Sequence, residues 1–264
     1  MIDDAEPAPV PSGPPRTLSF GGHVLAFLGE LSGVVIGAVI VASLLRALVG
    51  QMFLIPSASM EQTLRIDDRI VVEKLTTLQR GEVVVFTDPG GWLTGPVAPE
   101  RGRVGRALEF VGVLPDSGTD HLVKRVVGMP GDHVVCCDRA GRITVNDVAL
   151  DETSYLDPPP GGEPAVASSI RFTVVVPRDR IFVLGDNREH SRDSRCHLHD
   201  PDPTAVESSS AFVPEDLVVG RAVAVLWPVG HARRLGIPAT FVPVPAAQAA
   251  PALPAIDAGP EATC

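Results

Sequence analysis

The chain has 264 residues and a formal net charge of −10 at pH 7, with a sequence isoelectric point near 5.1. This length supports one sizeable domain or two small ones with a real core. The acidic balance argues against a nucleic-acid-binding protein, which usually carries a basic surface. Only Lys74 and Lys124 are lysines, and every other basic residue is arginine. A lysine retained in such a chain suggests a task that requires loss of its proton, although chance also explains a single lysine.

The N-terminal part of the sequence predicts a tail followed by a membrane anchor. Residues 1–21 are acidic and Pro-rich at the start, which is typical of a disordered tail. Residues 22–50 contain a run from Val24 to Leu45 that is mostly apolar, and about 20 apolar residues span a bilayer. A buried core helix is the alternative. A cleaved signal peptide fits poorly, because the start is acidic and the apolar run lies far from it.

Residues 51–237 predict a mostly antiparallel β domain. Short runs rich in Val and Ile are separated by Gly, Pro, Asp and Asn, which is typical of strands and turns. These runs cover residues 68–75, 82–89, 121–132, 133–138, 142–150, 170–177, 180–187 and 221–228. Ala/Pro-rich residues 238–264 predict a disordered C-terminal tail.

The cysteines give little support to a metal or redox site. Cys136, Cys137, Cys196 and Cys264 form no C-x-x-C pair, which argues against a zinc or thioredoxin-like site. In an extracellular domain, Cys196 could pair with Cys136 or Cys137, and the sequence does not choose among the pairings. The stretch "CHLHD" over residues 196–200 offers metal ligands, but a polar loop is the commoner explanation.

The stretch "IPSASMEQTL" over residues 55–64 places Ser57 and Ser59 directly after the apolar region. A serine attacks only when a base accepts its proton, and the chain has no triad motif for its histidines. Lys124 is the other candidate base. It shares one face of a predicted strand with Leu122 and Val126. Burial can lower a lysine pKa by roughly 3 to 5 units, which would make Lys124 a usable base. A solvent-facing strand cation is the alternative.

Two further segments are ambiguous on their residues alone. The Ser57 hydroxyl could stabilise an oxyanion, or it could belong to a Ser-turn after Pro56. The stretch "GDNREHSRDSR" over residues 185–195 is typical of a polar β-turn, in which Asp193 and Arg195 could form a charge-assisted pair.

Taken in order, "IPSASMEQTL", "DRIVVEKL", "VKRVVGMPGD" and "GDNREHSRDSR" resemble the motifs of bacterial type I signal peptidases. These are membrane-anchored serine proteases of the Ser/Lys type. The stretch "FVPEDLVVGRA" over residues 212–222 also resembles the family's closing segment, so the resemblance covers roughly residues 30–230. Eukaryotic relatives place histidine where this chain has Lys124, which favours the bacterial type.

The resemblance implies a role for each matching residue. Ser59 is the nucleophile, Lys124 the general base and Ser57 the oxyanion-hole hydroxyl. The resemblance also implies supporting residues. Ser191 hydrogen-bonds the lysine ammonium, and Asp193 and Arg195 form an ion pair. Gly185 and Asp186 pack beside the lysine.

The resemblance also implies a fold and a setting. The fold is mostly β, with an antiparallel catalytic domain, a smaller β lobe at about residues 130–183 and one N-terminal transmembrane helix. The substrates are signal peptides of secretory preproteins with small residues at −1 and −3, and no metal or cofactor is required. The partners are the lipid bilayer and the export translocon, with no nucleic acid. The catalytic domain lies outside the plasma membrane and the N-terminal tail in the cytoplasm.

The sequence departs from the family pattern at several positions. Gln62 and Met52 replace common prolines, Asp67 and Ala211 replace common glycines, and residues 196–210 form a longer polar insert. None of these changes removes a catalytic group. Two alternatives remain: a self-cleaving repressor of the DNA-damage response, which the apolar span argues against, and a catalytically degenerate membrane-anchored β scaffold.

Overall fold

The computed structural model describes residues 20–48, 50–93, 102, 105, 120–156, 158, 165–200 and 210–259. Residues 1–19 of the tail predicted for residues 1–21 therefore lie outside the described residues. Residues 201–209 of the polar insert also lie outside them.

The N-terminal apolar run forms one long helix, α1, over Phe20–Leu48. At about 1.5 Å per residue this helix is about 43 Å long, against about 30 Å for the hydrocarbon core of a bilayer. Its segment Phe27–Leu44 has a mean hydropathy of 2.1, and 0% of that segment is buried. The helix is thus apolar and long enough to span a membrane, and it is not the buried core helix of the alternative interpretation.

The larger sheet has eight strands that pair with antiparallel neighbours in the order β1-β2-β11-β3-β4-β9-β10, with β12 beside β11. The strand bounds are β1 Gly50–Leu54, β2 Arg69–Glu73, β3 Val83–Thr87, β4 His121–Gly128, β9 Arg180–Leu184, β10 Val213–Pro214, β11 Val218–Trp227 and β12 Arg233–Arg234. The mostly β, antiparallel fold predicted from the sequence is confirmed.

The smaller sheet has five strands in the order β13-β8-β5-β6-β7, again antiparallel. The strand bounds are β5 His133–Cys136, β6 Ile143–Val145, β7 Val148–Ala149, β8 Phe172–Val175 and β13 Ala255–Ala258. A two-residue turn joins β6 to β7, and its residues Asn146 and Asp147 have φ of 49° and 67°. Positive φ at both positions is the type I′ geometry that suits a tight hairpin.

The structure corrects two boundaries. The smaller lobe does not extend to residue 183, because β9 pairs with β4 in the larger sheet. The predicted disorder of residues 238–264 is wrong for residues 238–259. There, β13 pairs with β8, and Phe241 and Val244 are buried in the apolar core beside the smaller sheet. Ala/Pro-rich composition did not reveal these few buried anchors.

Strand β3 lies inside the larger sheet and is apolar on both faces. Val83 and Val85 pack into a cluster with Met60, whereas Val84 packs with Trp92 in a different cluster. This division follows from the two-residue period of a strand. Because the neighbouring strand β4 carries Lys124 opposite Val84, the sheet places this lysine in a buried position.

Candidate active site

Ser59 lies in a loop, residues 55–68, that connects β1 to β2; we call this segment the catalytic loop. The backbone of Ile55 closes the loop, since its amide donates to Asp68 O and its carbonyl accepts from Asp67 N, both at 2.9 Å. Ser57 is extended, with φ −138° and ψ 159°, and a 3₁₀ turn follows over Ala58–Met60. Met60 is buried in the core, so the turn holds the Ser59 hydroxyl against β4, the strand that carries Lys124.

Lys124 reaches Ser59 from β4. Its Nζ donates to Ser59 Oγ at 2.6 Å, and the lysine is 3% exposed and the serine 8%. Burial lowers the pKa of Lys124 from 10.5 to about 8. The charges of Asp193 and Asp186 oppose that change, and Arg195 reinforces it. The burial predicted from the strand pattern is confirmed.

Ser57 lies beside the same hydroxyl but faces solvent. Its Oγ is 3.4 Å from Ser59 Oγ, and its side chain is exposed. A carbonyl carbon attacked by Ser59 would therefore have the Ser57 hydroxyl nearby. This is the position that an oxyanion donor needs.

Gly185 follows β9 and allows two backbones to approach closely. A Cβ at this position would lie 2.5 Å from the carbonyl oxygen of Ser59 and 2.2 Å from Ser191 Oγ. The amide of Asn187 donates to that same Ser59 carbonyl at 3.1 Å. The turn at residues 185–187 thus supports the catalytic loop from behind, and only glycine fits at its start.

Ser191 is buried next to Gly185. No hydrogen bond joins its hydroxyl to Lys124 in the part of the chain that the structure describes, so the bond implied by the family resemblance is absent from this geometry. The hydroxyl lies near the carboxylate of Asp193, without a well-formed hydrogen bond to it among the described residues.

Asp193 and Arg195 form the predicted ion pair, with Nε–Oδ1 and Nη2–Oδ2 distances of 2.9 and 2.8 Å. Burial alone would raise the pKa of Asp193, but the arginine charge and its hydrogen bonds lower it below the ordinary value. Asp193 also accepts from the Gly185 amide at 3.0 Å. The pair therefore fixes the turn that supports Ser59.

Asp186 forms a second buried ion pair, with Arg125. The guanidinium Nε and Nη2 bond the two carboxylate oxygens at 2.8 and 2.6 Å. The Arg125 guanidinium also lies 4.3 Å from the ring centroid of Tyr155, a cation–π contact. Arg125 is the sequence neighbour of Lys124, so this pairing ties β4 to the turn after β9.

Arg188 and Glu152 form a third buried pair, which the sequence did not predict. Arg188 bonds the Glu152 carboxylate at 2.5 and 3.3 Å, and its Nε donates to Gly185 O at 2.8 Å. Tyr155 donates its hydroxyl to Glu152 Oε1 at 2.7 Å. Arg188 belongs to the "GDNREHSRDSR" motif, and this position is a sequence signal for a role near the site. No pattern in the sequence indicates Glu152 as its partner.

Two departures from the family pattern occupy left-handed backbone. Gln62 has φ of 78° and Asp67 has φ of 69°. A glycine is the usual residue at such a φ, and Asp tolerates it better than most, which explains the substitution at 67. Proline cannot adopt a positive φ, so the catalytic loop takes a different local path at position 62 from one that carries proline there.

Cys136 forms a disulfide with its neighbour Cys137, which is one of the three pairings that four cysteines allow. This bond excludes a disulfide from Cys196 to either of them. Cys196 is itself disulfide-bonded. His197 of the "CHLHD" stretch is buried, stacks on Trp92 at 4.7 Å between ring centroids and bonds Asp200 at 2.7 Å.

Comparison with known proteins identifies the family. The family model described as "Signal peptidase, peptidase S26" matches residues 28–227. A signal peptidase I of Mycobacterium tuberculosis is 36% identical over 220 residues, which cover 76% of this chain and 73% of the relative. A probable signal peptidase I of Mycobacterium leprae is 37% identical over 204 residues, covering 68% and 69%. A crystal structure of a signal peptidase I from Enterococcus faecalis covers 56% of this chain and 98% of its own, with 20% identity and a TM-score of 0.31. The chain belongs to the peptidase S26 family of signal peptidases.

Proposed function

We propose that this chain removes signal peptides from exported preproteins through an acyl-enzyme on Ser59, with Lys124 as the general base. The observation that carries this proposal is the 2.6 Å contact between Lys124 Nζ and Ser59 Oγ. With a pKa of about 8, the lysine is neutral in a useful fraction of molecules near neutral pH. A neutral amine beside a serine hydroxyl is the activated nucleophile that acyl transfer needs.

Acylation begins when the Ser59 oxygen attacks the scissile carbonyl carbon and its proton passes to Lys124 Nζ. The carbonyl π electrons move onto oxygen and form a tetrahedral oxyanion. The Ser57 hydroxyl and the Ser59 amide donate hydrogen bonds to that oxyanion. When the intermediate collapses, the C–N bond breaks and the leaving amine takes the proton from Lys124.

Deacylation repeats these steps with water. Neutral Lys124 accepts a proton as the water oxygen attacks the acyl carbon, and the Ser59 oxygen leaves with that proton. The signal peptide departs with a new carboxylate. In this scheme Gly185, Asp186, Ser191, Asp193 and Arg195 support the nucleophile and the base and do not touch the substrate.

The setting is proposed to be the plasma membrane. Helix α1 would anchor the chain, with the lipid bilayer and the export translocon as partners and the β domain on the extracytoplasmic side. The Cys136–Cys137 disulfide and the disulfide-bonded Cys196 support this orientation, because disulfides persist in oxidising compartments. The substrates would carry small residues at −1 and −3.

The test uses the full-length protein in detergent with a secretory preprotein. Wild type, Ser59→Ala and Lys124→Ala are compared, and the new N-terminus is mapped by mass spectrometry. Lys74→Ala is the matched control, because Lys74 is the chain's other lysine and its side chain is exposed, bonding Gln51.

We expect one cut after an A-x-A-like site with wild type and the Lys74 variant, and none with the other two. No cut by folded wild type across several preproteins would instead support a degenerate scaffold.

A further inference from the structure

The segment after β11 contacts the catalytic loop through two side chains. A 3₁₀ turn over Val229–His231 leads into β12, and His231 and Arg233 both bond the loop. The family model ends its match at residue 227, so this segment lies beyond it. We call His231 and Arg233 the clasp.

His231 is held in one tautomer by its two partners. Its Nδ1 is 2.9 Å from Asp68 Oδ1, and its Nε2 is 3.0 Å from Arg65 Nη1. A carboxylate only accepts and a guanidinium only donates, so neutral His231 donates from Nδ1 and accepts at Nε2. Asp68 is 1% exposed, and its other oxygen accepts from the Arg65 amide at 2.9 Å. His231 therefore ties the buried carboxylate at the end of the loop to the turn after β11.

Arg233 binds the middle of the catalytic loop. Its Nη2 donates to the carbonyl of Thr63 and, at 3.3 Å, to that of Gln62. Gln62 has φ of 78°, a left-handed conformation that is strained for a non-glycine residue and persists only where its surroundings fix it. The two hydrogen bonds from Arg233 hold the carbonyls of Gln62 and Thr63, which flank the Thr63 Cα. They stabilise the unusual turn that starts three residues after Ser59.

The loop segment bound by Arg233 is also bound by a residue next to Lys124. Thr63 Oγ1 accepts from Arg125 Nη2 at 3.1 Å, and Arg125 is the neighbour of Lys124. The Gln62–Thr63 segment is thus held by two arginines, Arg233 through its carbonyls and Arg125 through the Thr63 side chain. A shift of this segment would move Ser59 relative to Lys124.

We infer that His231 and Arg233 are positioning residues that hold the catalytic loop in the shape that places Ser59 Oγ against Lys124 Nζ. This inference rests on the proposed function for its kinetic readout. The clasp touches neither the nucleophile nor the base, so its loss affects the rate through loop geometry. Small displacements of reacting groups lower kcat strongly, whereas substrate contacts elsewhere, and hence KM, stay in place.

The experiment compares two near-isosteric substitutions of His231. In His231→Asn the amide nitrogen lies near the position of Nδ1 and can still donate to Asp68. In His231→Gln the amide lies near the position of Nε2, and the bond to Asp68 is lost. Arg233→Ala and Arg233→Lys form the second pair. Arg234→Ala is the matched control, since Arg234 is the exposed neighbour on β12 and makes no side-chain hydrogen bond to the loop among the described residues.

We expect His231→Gln and Arg233→Ala to lose about tenfold or more in kcat on a preprotein, with KM within about twofold of wild type. His231→Asn and Arg233→Lys should keep kcat within about threefold. Arg234→Ala should match wild type. Thermal melting of every variant separates loss of kcat from loss of fold. Equal losses in the Asn and Gln variants, or wild-type kcat in His231→Gln and Arg233→Ala, would overturn the inference.

Hydrogen–deuterium exchange gives a second readout that does not depend on activity. The amides of Leu64 and Asp67 are hydrogen-bonded within the loop, at 2.7 and 2.9 Å. They should exchange faster in His231→Gln and Arg233→Ala than in wild type, and at the wild-type rate in His231→Asn. If wild type cleaves no preprotein, the proposed function fails and the exchange data still decide on the clasp. Unchanged exchange in His231→Gln and Arg233→Ala would overturn it.

Discussion

The pH dependence of cleavage follows directly from the burial of Lys124. An ordinary lysine with a pKa of 10.5 is neutral in about 3 of 10,000 molecules at pH 7. A pKa of about 8 raises that fraction to about one in eleven, a gain of about 300-fold in available base. Between pH 7 and pH 9 the neutral fraction then rises about tenfold. We therefore expect kcat/KM to climb about tenfold over this interval, with a midpoint near pH 8.

The assay is steady-state cleavage of a signal-peptide substrate from pH 5 to pH 10, fitted to one ionisation on the acid limb. The Lys74→Ala control should show the same midpoint as wild type, since that lysine is exposed. Activity that is flat from pH 6 to pH 9, or a midpoint below pH 6.5, would refute the assignment of Lys124 as a base that must lose a proton.

The same depressed pKa predicts an effect on stability. The folded pKa of Lys124 lies below the unfolded value, so between about pH 8 and pH 10.5 the unfolded chain binds more protons and stability rises with pH. Below pH 8 the buried charge destabilises the fold by the full difference, about 3 kcal/mol. Lys124→Met removes that cost and also a hydrogen bond to Ser59 worth about 1 kcal/mol, so we expect a net gain of about 2 kcal/mol at pH 7. Denaturant unfolding checks this, and an inactive Met variant that is less stable than wild type would contradict it.

Three further substitutions test the surroundings of the lysine. Lys124→Arg keeps the charge but cannot lose a proton, so its preprotein cleavage should be as low as that of Lys124→Ala; measurable turnover would contradict the general-base role. Gly185→Ala places a Cβ 2.5 Å from the Ser59 carbonyl, and we expect a lower melting temperature and at least about a 100-fold loss of kcat. Arg195→Gln removes a charge that lowers the pKa of Lys124 and frees Asp193 beside it, so the midpoint of the pH–rate profile should move above pH 8; a downward shift would argue against this electrostatic account.

The sequence predicted the neighbours Ser59 and Lys124 better than it predicted their surroundings. Each lies in a short motif, the structure places the two side chains in contact, and the strand pattern around Lys124 correctly indicated burial. Arg188 and Glu152 are 36 positions apart, and their ion pair depends on how two loops meet. Local patterns carry no information on such a pairing.

The C-terminal segment shows a different limit of sequence reasoning. Its Ala/Pro-rich composition predicted disorder, yet residues 238–259 pack onto the smaller sheet. The segment is held by a few buried anchors such as Phe241 and by backbone contacts, including Arg178 N to Pro251 O at 2.9 Å. Average composition describes how little apolar surface a segment has. It does not indicate whether the edge strand of a sheet, here β8, is available to pair with the segment.

The buried charges around the site explain why Lys124 is the group with the depressed pKa. Asp186 is bound through both oxygens by Arg125, and Asp193 is bound likewise by Arg195. Each carboxylate is thus largely neutralised by a guanidinium that cannot lose its proton, so its attraction for the lysine is weakened. Among the described residues, Lys124 has only the Ser59 hydroxyl as a hydrogen-bond partner. Burial then outweighs the remaining attraction, and the one lysine that is buried among the described residues lies against the Ser59 hydroxyl. Without its arginine, either aspartate would attract the lysine charge more strongly and raise the pKa of Lys124.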